Sequence, residues 1–147
     1  LDERSYLGAG LGYLRNQLSD ISHRITPSVT LGHYLVKEGD LTLSVEAGPG
    51  VTFEKVGGIT DDYFSVSAAE KFTWSFNETT EIKQSLSAIL DPSNSDNYSL
   101  AASAQLNLKI SAMLSWQITA TWTYDNAPAV DRGKDDTTLS TGISLKF

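Results

Sequence analysis

The chain has no cysteine. That removes disulfide frameworks and thiolate zinc sites, and it suits an oxidising compartment as well as a reducing one. There is no run of about 18 apolar residues, so no transmembrane helix can be drawn from it. Positive charge is scarce: 11 Lys and Arg stand against 18 Asp and Glu, giving a formal net charge of −7. Such a balance argues against nucleic acid and anionic lipid headgroups as main partners. No basic-then-apolar leader opens the chain, which for an exported protein implies a mature form or a fragment. Histidine is represented only by His23 and His33, and neither has neighbours at metal-ligand spacing. Serines are many, but none has the His and Asp partners of a nucleophilic triad. No cofactor, metal or enzymatic activity is expected.

What is present is alternation. The final stretch, Thr137 to Phe147, puts Leu139, Ile143, Leu145 and Phe147 on one face and Thr138, Ser140, Gly142, Ser144 and Lys146 on the other. Period two is the signature of a strand. The same pattern predicts strands over Asp2–Arg15, Arg24–Val36, Leu41–Lys55, Tyr63–Phe76, Thr80–Leu90, Tyr98–Leu108 and Leu114–Asp125. Leu114 to Asp125 is the clearest, with Leu114, Trp116, Ile118, Ala120, Trp122 and Tyr124 opposing Ser115, Gln117, Thr119, Thr121, Thr123 and Asp125. Two residues clash with it. Pro49 cannot donate to a ladder, so a bulge is expected at Gly48-Pro49-Gly50. Glu70 falls on an apolar face. The Gly8, Gly10, Gly12 spacing lacks the strand-then-helix context of a phosphate loop and reads as room on a narrow inner face.

Connections alternate between polar stretches (16–22, 57–62, 91–97, 126–136) and tight turns (37–40, 77–79, 109–111). Aromatics on the apolar faces gather at both strand ends: Trp74, Phe76, Trp116 and Phe147 toward the tight turns, and Phe53, Phe64, Tyr98, Trp122 and Tyr124 toward the longer loops. Long loops on one side, short turns on the other and two aromatic girdles are the pattern of an outer-membrane barrel. The expected fold is therefore all-β: an antiparallel up-and-down transmembrane β-barrel of eight strands, a single domain over residues 1–147. Leu139, Ile143, Leu145 and the terminal Phe147 resemble the last-strand signal read by the outer-membrane barrel assembly machinery.

Leu31-Gly32-His33-Tyr34, Val45-Glu46-Ala47-Gly48-Pro49-Gly50 and the ending with Pro128, Lys134-Asp135-Asp136-Thr137 and Phe147 together resemble the salt-induced outer-membrane protein family, a domain family of unknown function. The resemblance runs from about Glu3 to Phe147, and Glu-Ala-Gly-Pro-Gly is its most specific part. Members of that family are usually longer, so it implies either the C-terminal part of a larger barrel or a shortened relative. It carries no catalytic residues.

Glu46, Glu54, Lys71, Glu81, Lys83 and Lys109 fall on polar faces and are expected to form interior ion pairs, because an eight-stranded barrel is just wide enough for side chains to fill it. Glu46 and Lys71 are expected to sit opposite each other. The functional expectation is a non-catalytic protein of the bacterial outer membrane with a structural or envelope-stress (salt or osmotic) role. Its expected partners are membrane lipid, lipopolysaccharide, the assembly machinery and further protein subunits. The competing expectation is a soluble lipocalin-like barrel binding a small hydrophobic ligand, with its apolar face inward and Lys71, Lys83 and Glu46 outward.

Overall fold

Alternating sequence becomes alternating strand throughout the chain. The computed structural model describes residues 3–17 and 20–145. Eight strands follow one another: β1 Ser5–Asn16, β2 Ile21–Glu38, β3 Leu41–Val56, β4 Ile59–Asn77, β5 Thr80–Leu90, β6 Tyr98–Lys109, β7 Leu114–Asp125 and β8 Asp135–Leu145. They form one antiparallel sheet in strict sequence order, each strand paired with its chain neighbours.

Pairing separates the side chains into two consistent sets. Ala47, Ala68, Ala88, Leu100 and Tyr124 are cross-strand partners in succession and lie on the apolar face. Glu46, Ala69, Ser87, Ala101 and Thr123 form the adjacent row on the other face. The polar face is the concave one. β2 and β7 are remote in strand order, yet Arg24 Nη2 reaches Asp125 Oδ2 at 2.8 Å. Only a sheet curled with its polar side inward allows that contact.

Curling does not close the sheet. Among the described residues β1 and β8 are not paired by backbone hydrogen bonds, so the ring expected from the sequence is open along that seam. At the loop end the edges approach, and Asn16 Nδ2 donates to Asp136 Oδ2 at 3.3 Å.

Three local expectations are corrected. The stretch 57–62 is not a loop: β4 begins at Ile59, and Gly57 and Gly58, with φ of +57° and +81°, make a two-residue hairpin turn. Both values lie in the left-handed region that glycine occupies without steric cost. Asp61 and Asp62, whose charge suggested a loop, pair with Glu54 and Phe53. No bulge occurs at Pro49 either. Ser28 pairs with Gly50 and Leu31 with Ala47 in unchanged register, and the shifts in this ladder fall at Ile21/His23 and Tyr34/Val36. Gly48 accommodates the proline's neighbourhood by close approach: a Cβ built there would lie 2.0 Å from the Val29 carbonyl oxygen. Finally, the β6–β7 connection extends past Ser111, as far as Met113.

Strand lengths are unequal. β2, β3 and β4 have 18, 16 and 19 residues, against 11 or 12 in each of the others. The long β3–β4 hairpin leans over the loop end, and a Cβ on Gly57 would touch Ala129 of the 126–134 loop at 3.4 Å.

Candidate functional site

The concave face holds nearly all the buried side chains of the described residues, and they are polar. Arg24, Thr26, Thr30, Ser44, Thr52, Glu54, Ser65 and Asp91 are buried, whereas Ile21 is the only buried hydrophobic among the described residues. The centre of this polar core is Arg24, near the start of β2. Its register partner on β3 is Glu54. Nε donates to Glu54 Oε2 while Nη2 crosses to Asp125 at the end of β7. The three side chains are 7–15% exposed, dry enough for each charge to depend on the others. Removing Arg24 from such a cluster leaves two uncompensated buried carboxylates, a loss of about 3–5 kcal/mol, whereas removing either acid leaves one neutral pair.

Below the cluster runs a row of hydroxyls. Thr26 Oγ1 and Thr52 Oγ1 are 3.2 Å apart, and Thr52 Oγ1 donates to Ser65 Oγ at 3.1 Å. Thr52 and Ser65 have no exposed surface at all. A cavity of about 230 Å³ adjoins the cluster, bounded by Arg24 and Asp125 and by Leu14, Ile21, Ile89 and Ala101. At the tight-turn end the concave face opens into a polar vestibule of about 600 Å³, lined in part by Asn77, Glu81, Asn107 and Lys109.

Of the six inward charges singled out by sequence, Lys71 and Glu46 meet: Nζ donates to Oε1 at 2.7 Å. They meet diagonally, because Lys71 pairs with Ser44 and Glu46 with Ala69. The Gly57-Gly58 turn sits one residue earlier than a loop centred on 58–59, which slides the register by two. Tyr6 adds its hydroxyl to Glu46 Oε2 at 3.0 Å. The lysine side chain is 55% exposed, so this pair is solvated and not sealed inside. Glu81 pairs with Lys83 of its own strand at 3.0 Å and accepts from Asn107 Nδ2 at 3.0 Å. Glu54 belongs to Arg24. Lys109 stands exposed at the end of β6. Sequence reasoning passed over Arg24, Tyr6 and Asn16. Arg24 lies at a polar position of the alternation, which is the only signal it gave.

The convex face is apolar and exposed. Leu7, Leu11, Leu31, Leu139, Ile143 and Leu145 are each more than half exposed. Trp74 and Phe76 meet edge-to-face near the tight turns, and the Trp116 indole donates to Thr141 Oγ1 at 2.6 Å. At the loop end Trp122 stacks on Tyr124, which neighbours Tyr98, and Phe53 and Phe64 are exposed on the same face. Phe147 lies outside the described residues. Glu70 does lie on this face, where Gln84 Nε2 donates to its Oε2 at 2.9 Å. In the 91–97 loop, Asp91 takes Ser93 Oγ and the Ser93 N–H on Oδ1, and these bonds hold its carboxyl below the usual carboxylate range. Among the described residues no group of three or more His, Cys, Asp or Glu could hold a metal ion.

A family model described as "Protein of unknown function, DUF481" matches residues 1–147. No curated protein and no solved structure matches the chain.

Proposed function

The chain belongs to the DUF481 family of proteins of unknown function, and from that premise we propose that it is an integral protein of the bacterial outer membrane. Its sheet is read as an up-and-down transmembrane β-barrel with a structural or envelope-stress role and no catalysis. The observation that carries this reading is the inversion of the two faces. Buried Arg24, Thr26, Thr52, Glu54 and Ser65 line the concave side, while Leu11, Leu139 and Ile143 stand 71–74% exposed on the convex side. In water, each large apolar side chain left uncovered forgoes about 1.5–3 kcal/mol of burial. A surface of this extent exceeds what soluble monomers expose. Against hydrocarbon the same face is at home, and aromatics at both strand ends suit the two interfaces.

Closure of the barrel follows from the same physics. Open strand edges are not tolerated in lipid, where each unpaired backbone group costs several kcal/mol. β1 and β8 are antiparallel in this strand order and already linked at the loop end through Asn16 and Asp136, so their pairing closes the ring. The proposed partners are membrane lipid, lipopolysaccharide and the assembly machinery that reads Leu139, Ile143 and Leu145. The lipocalin-like alternative needs an apolar concave face, and the concave face here carries Arg24, Glu46 and Glu54.

The test is electrophoretic mobility of the detergent-purified protein, boiled against unboiled. A faster unboiled band together with a requirement for detergent supports the reading. Monodisperse protein in detergent-free buffer overturns it. The envelope-stress role rests on the family resemblance described above. Loss of the protein should impair survival of a salt upshift, and unchanged survival removes that role without touching the barrel.

A further inference from the structure

We propose that the Arg24–Asp125 link is the gate of a passage for small ions through the barrel. The proposal rests on the transmembrane-barrel reading and adds conduction to it. Four ion pairs are present among the described residues. Arg24–Glu54 and Lys71–Glu46 join neighbouring strands, and Lys83–Glu81 stays within one strand. Only Arg24–Asp125 reaches from β2 to β7 across the concave side. A wall contact steadies the sheet and leaves the space it encloses untouched. A contact across that space obstructs it.

Room adjoins the link on both sides, from Gly12, Thr26 and Ala101 toward the tight turns to Asn16, Ile21 and Lys134 toward the loops. The cavity of about 230 Å³ touches both Arg24 and Asp125, and the polar vestibule of about 600 Å³ opens at the far end. Between them the concave face carries small side chains, among them Gly10, Ser67, Ala69, Ser85 and Ser103, beside the Tyr6–Glu46–Lys71 network, whose lysine is 55% exposed. On the loop side, the β3–β4 tip rests on the 126–134 loop at Gly57 and Ala129. That loop continues directly from β7.

The link can be broken without dismantling the wall. Arg24 keeps Glu54, its register partner, when Asp125 is neutralised. Gate and fold are thus separable at Asp125, because the pair that remains is the one between neighbours. Charge also sets what passes. With Arg24 removed, Glu54 and Asp125 leave two carboxylates in the constriction, which favours cations. With Asp125 neutralised, the remaining Arg24–Glu54 pair has no net charge and discriminates weakly.

The experiment is single-channel recording in planar bilayers with a KCl gradient, on full-length wild type, Asp125→Asn, Arg24→Ser and the control Lys83→Met. Each is first checked for a heat-modifiable band. Wild type and Lys83→Met should be closed for most of the record. Asp125→Asn should raise the open probability at least about tenfold, the factor expected from losing one charge-assisted hydrogen bond. Arg24→Ser should also open, with a reversal potential displaced toward K⁺ relative to Asp125→Asn. Heat-modifiable Asp125→Asn that stays as silent as wild type overturns the gate and leaves the barrel standing. A wild type that neither inserts nor shows heat modifiability overturns both. Opening of Lys83→Met to the same degree overturns the assignment to this link.

Discussion

Replacing Gly48 with alanine should cost more than any other single-methyl change on the concave face. The new Cβ would lie 2.0 Å from the Val29 carbonyl oxygen, 2.7 Å from Thr30 Cα and 2.9 Å from the Val29 carbonyl carbon. All three are backbone atoms of β2, so no rotamer change relieves the clash. Relief requires moving β2 and β3 apart by more than 1 Å, against a normal closest approach of roughly 3.4 Å. The neighbouring pairs Ser28–Gly50 and Leu31–Ala47 then lose ladder geometry. Overpacking of this kind costs about 1–3 kcal/mol, and each weakened backbone bond adds about 1. The expected loss is therefore about 3–5 kcal/mol. Gly12→Ala is the matched control, since its Cβ meets Thr26 at an ordinary 3.6 Å. Alanine in a strand without a clash is worth roughly 0.5–1 kcal/mol over glycine, so the control should be neutral or slightly stabilised. Urea unfolding in detergent micelles, followed by tryptophan fluorescence, measures both. Gly48→Ala unfolding within 1 kcal/mol of Gly12→Ala would refute the close approach of β2 and β3.

Other perturbations have equally definite outcomes. A double-mutant cycle on Glu46→Gln and Lys71→Met should give a coupling of about 0.2–1 kcal/mol, the range for an ion pair whose lysine is mostly exposed; a coupling above about 3 kcal/mol would mean the pair is sealed from water. Thr52→Val breaks the hydroxyl row and leaves buried Ser65 without its donor, and should lower unfolding free energy by about 1–3 kcal/mol. Asp91 has its pKa depressed in the fold, chiefly by the Ser93 hydroxyl, so its stabilising contribution is present above the unfolded value near 4 and is lost as pH falls through the lower folded value. Wild type should therefore outlast Asp91→Asn at pH 6, and the difference should shrink as pH falls below the unfolded value; a constant difference across that range would contradict the loop bonds.

Strand identity was legible because period two is a local property. Thr80–Leu90 and Leu114–Asp125 end in the structure where the alternation places them. Hairpin geometry was less legible. Asp61 and Asp62 look like loop residues, yet the adjacent Gly57-Gly58 supplies a tighter turn, and the ladder then runs on through the acids. Glu46 and Lys71 were visible as a pair, but their diagonal offset depends on that turn. The Arg24–Asp125 contact had no local trace at all. It joins residues separated by 101 positions, and only the curl of the whole sheet brings them together. Closure has the same character: strand order can be read along the chain, but the distance between two edges accumulates from the twist of every strand between them.

The unequal strands give the molecule a skyline. β4 pairs with β5 only from Val66 onward, so Ile59–Ser65 continues past its shorter neighbour. At ~3.3 Å per residue, those seven residues rise roughly 23 Å along the strand beyond the end of that pairing. In the proposed outer-membrane setting, with the loop end outward, the hairpin bearing Gly57 and Gly58 overhangs a low rim. In that proposed setting an antibody, a phage tail or a protease would meet Ile59 and the Asp61-Asp62 pair before any of the shorter strands.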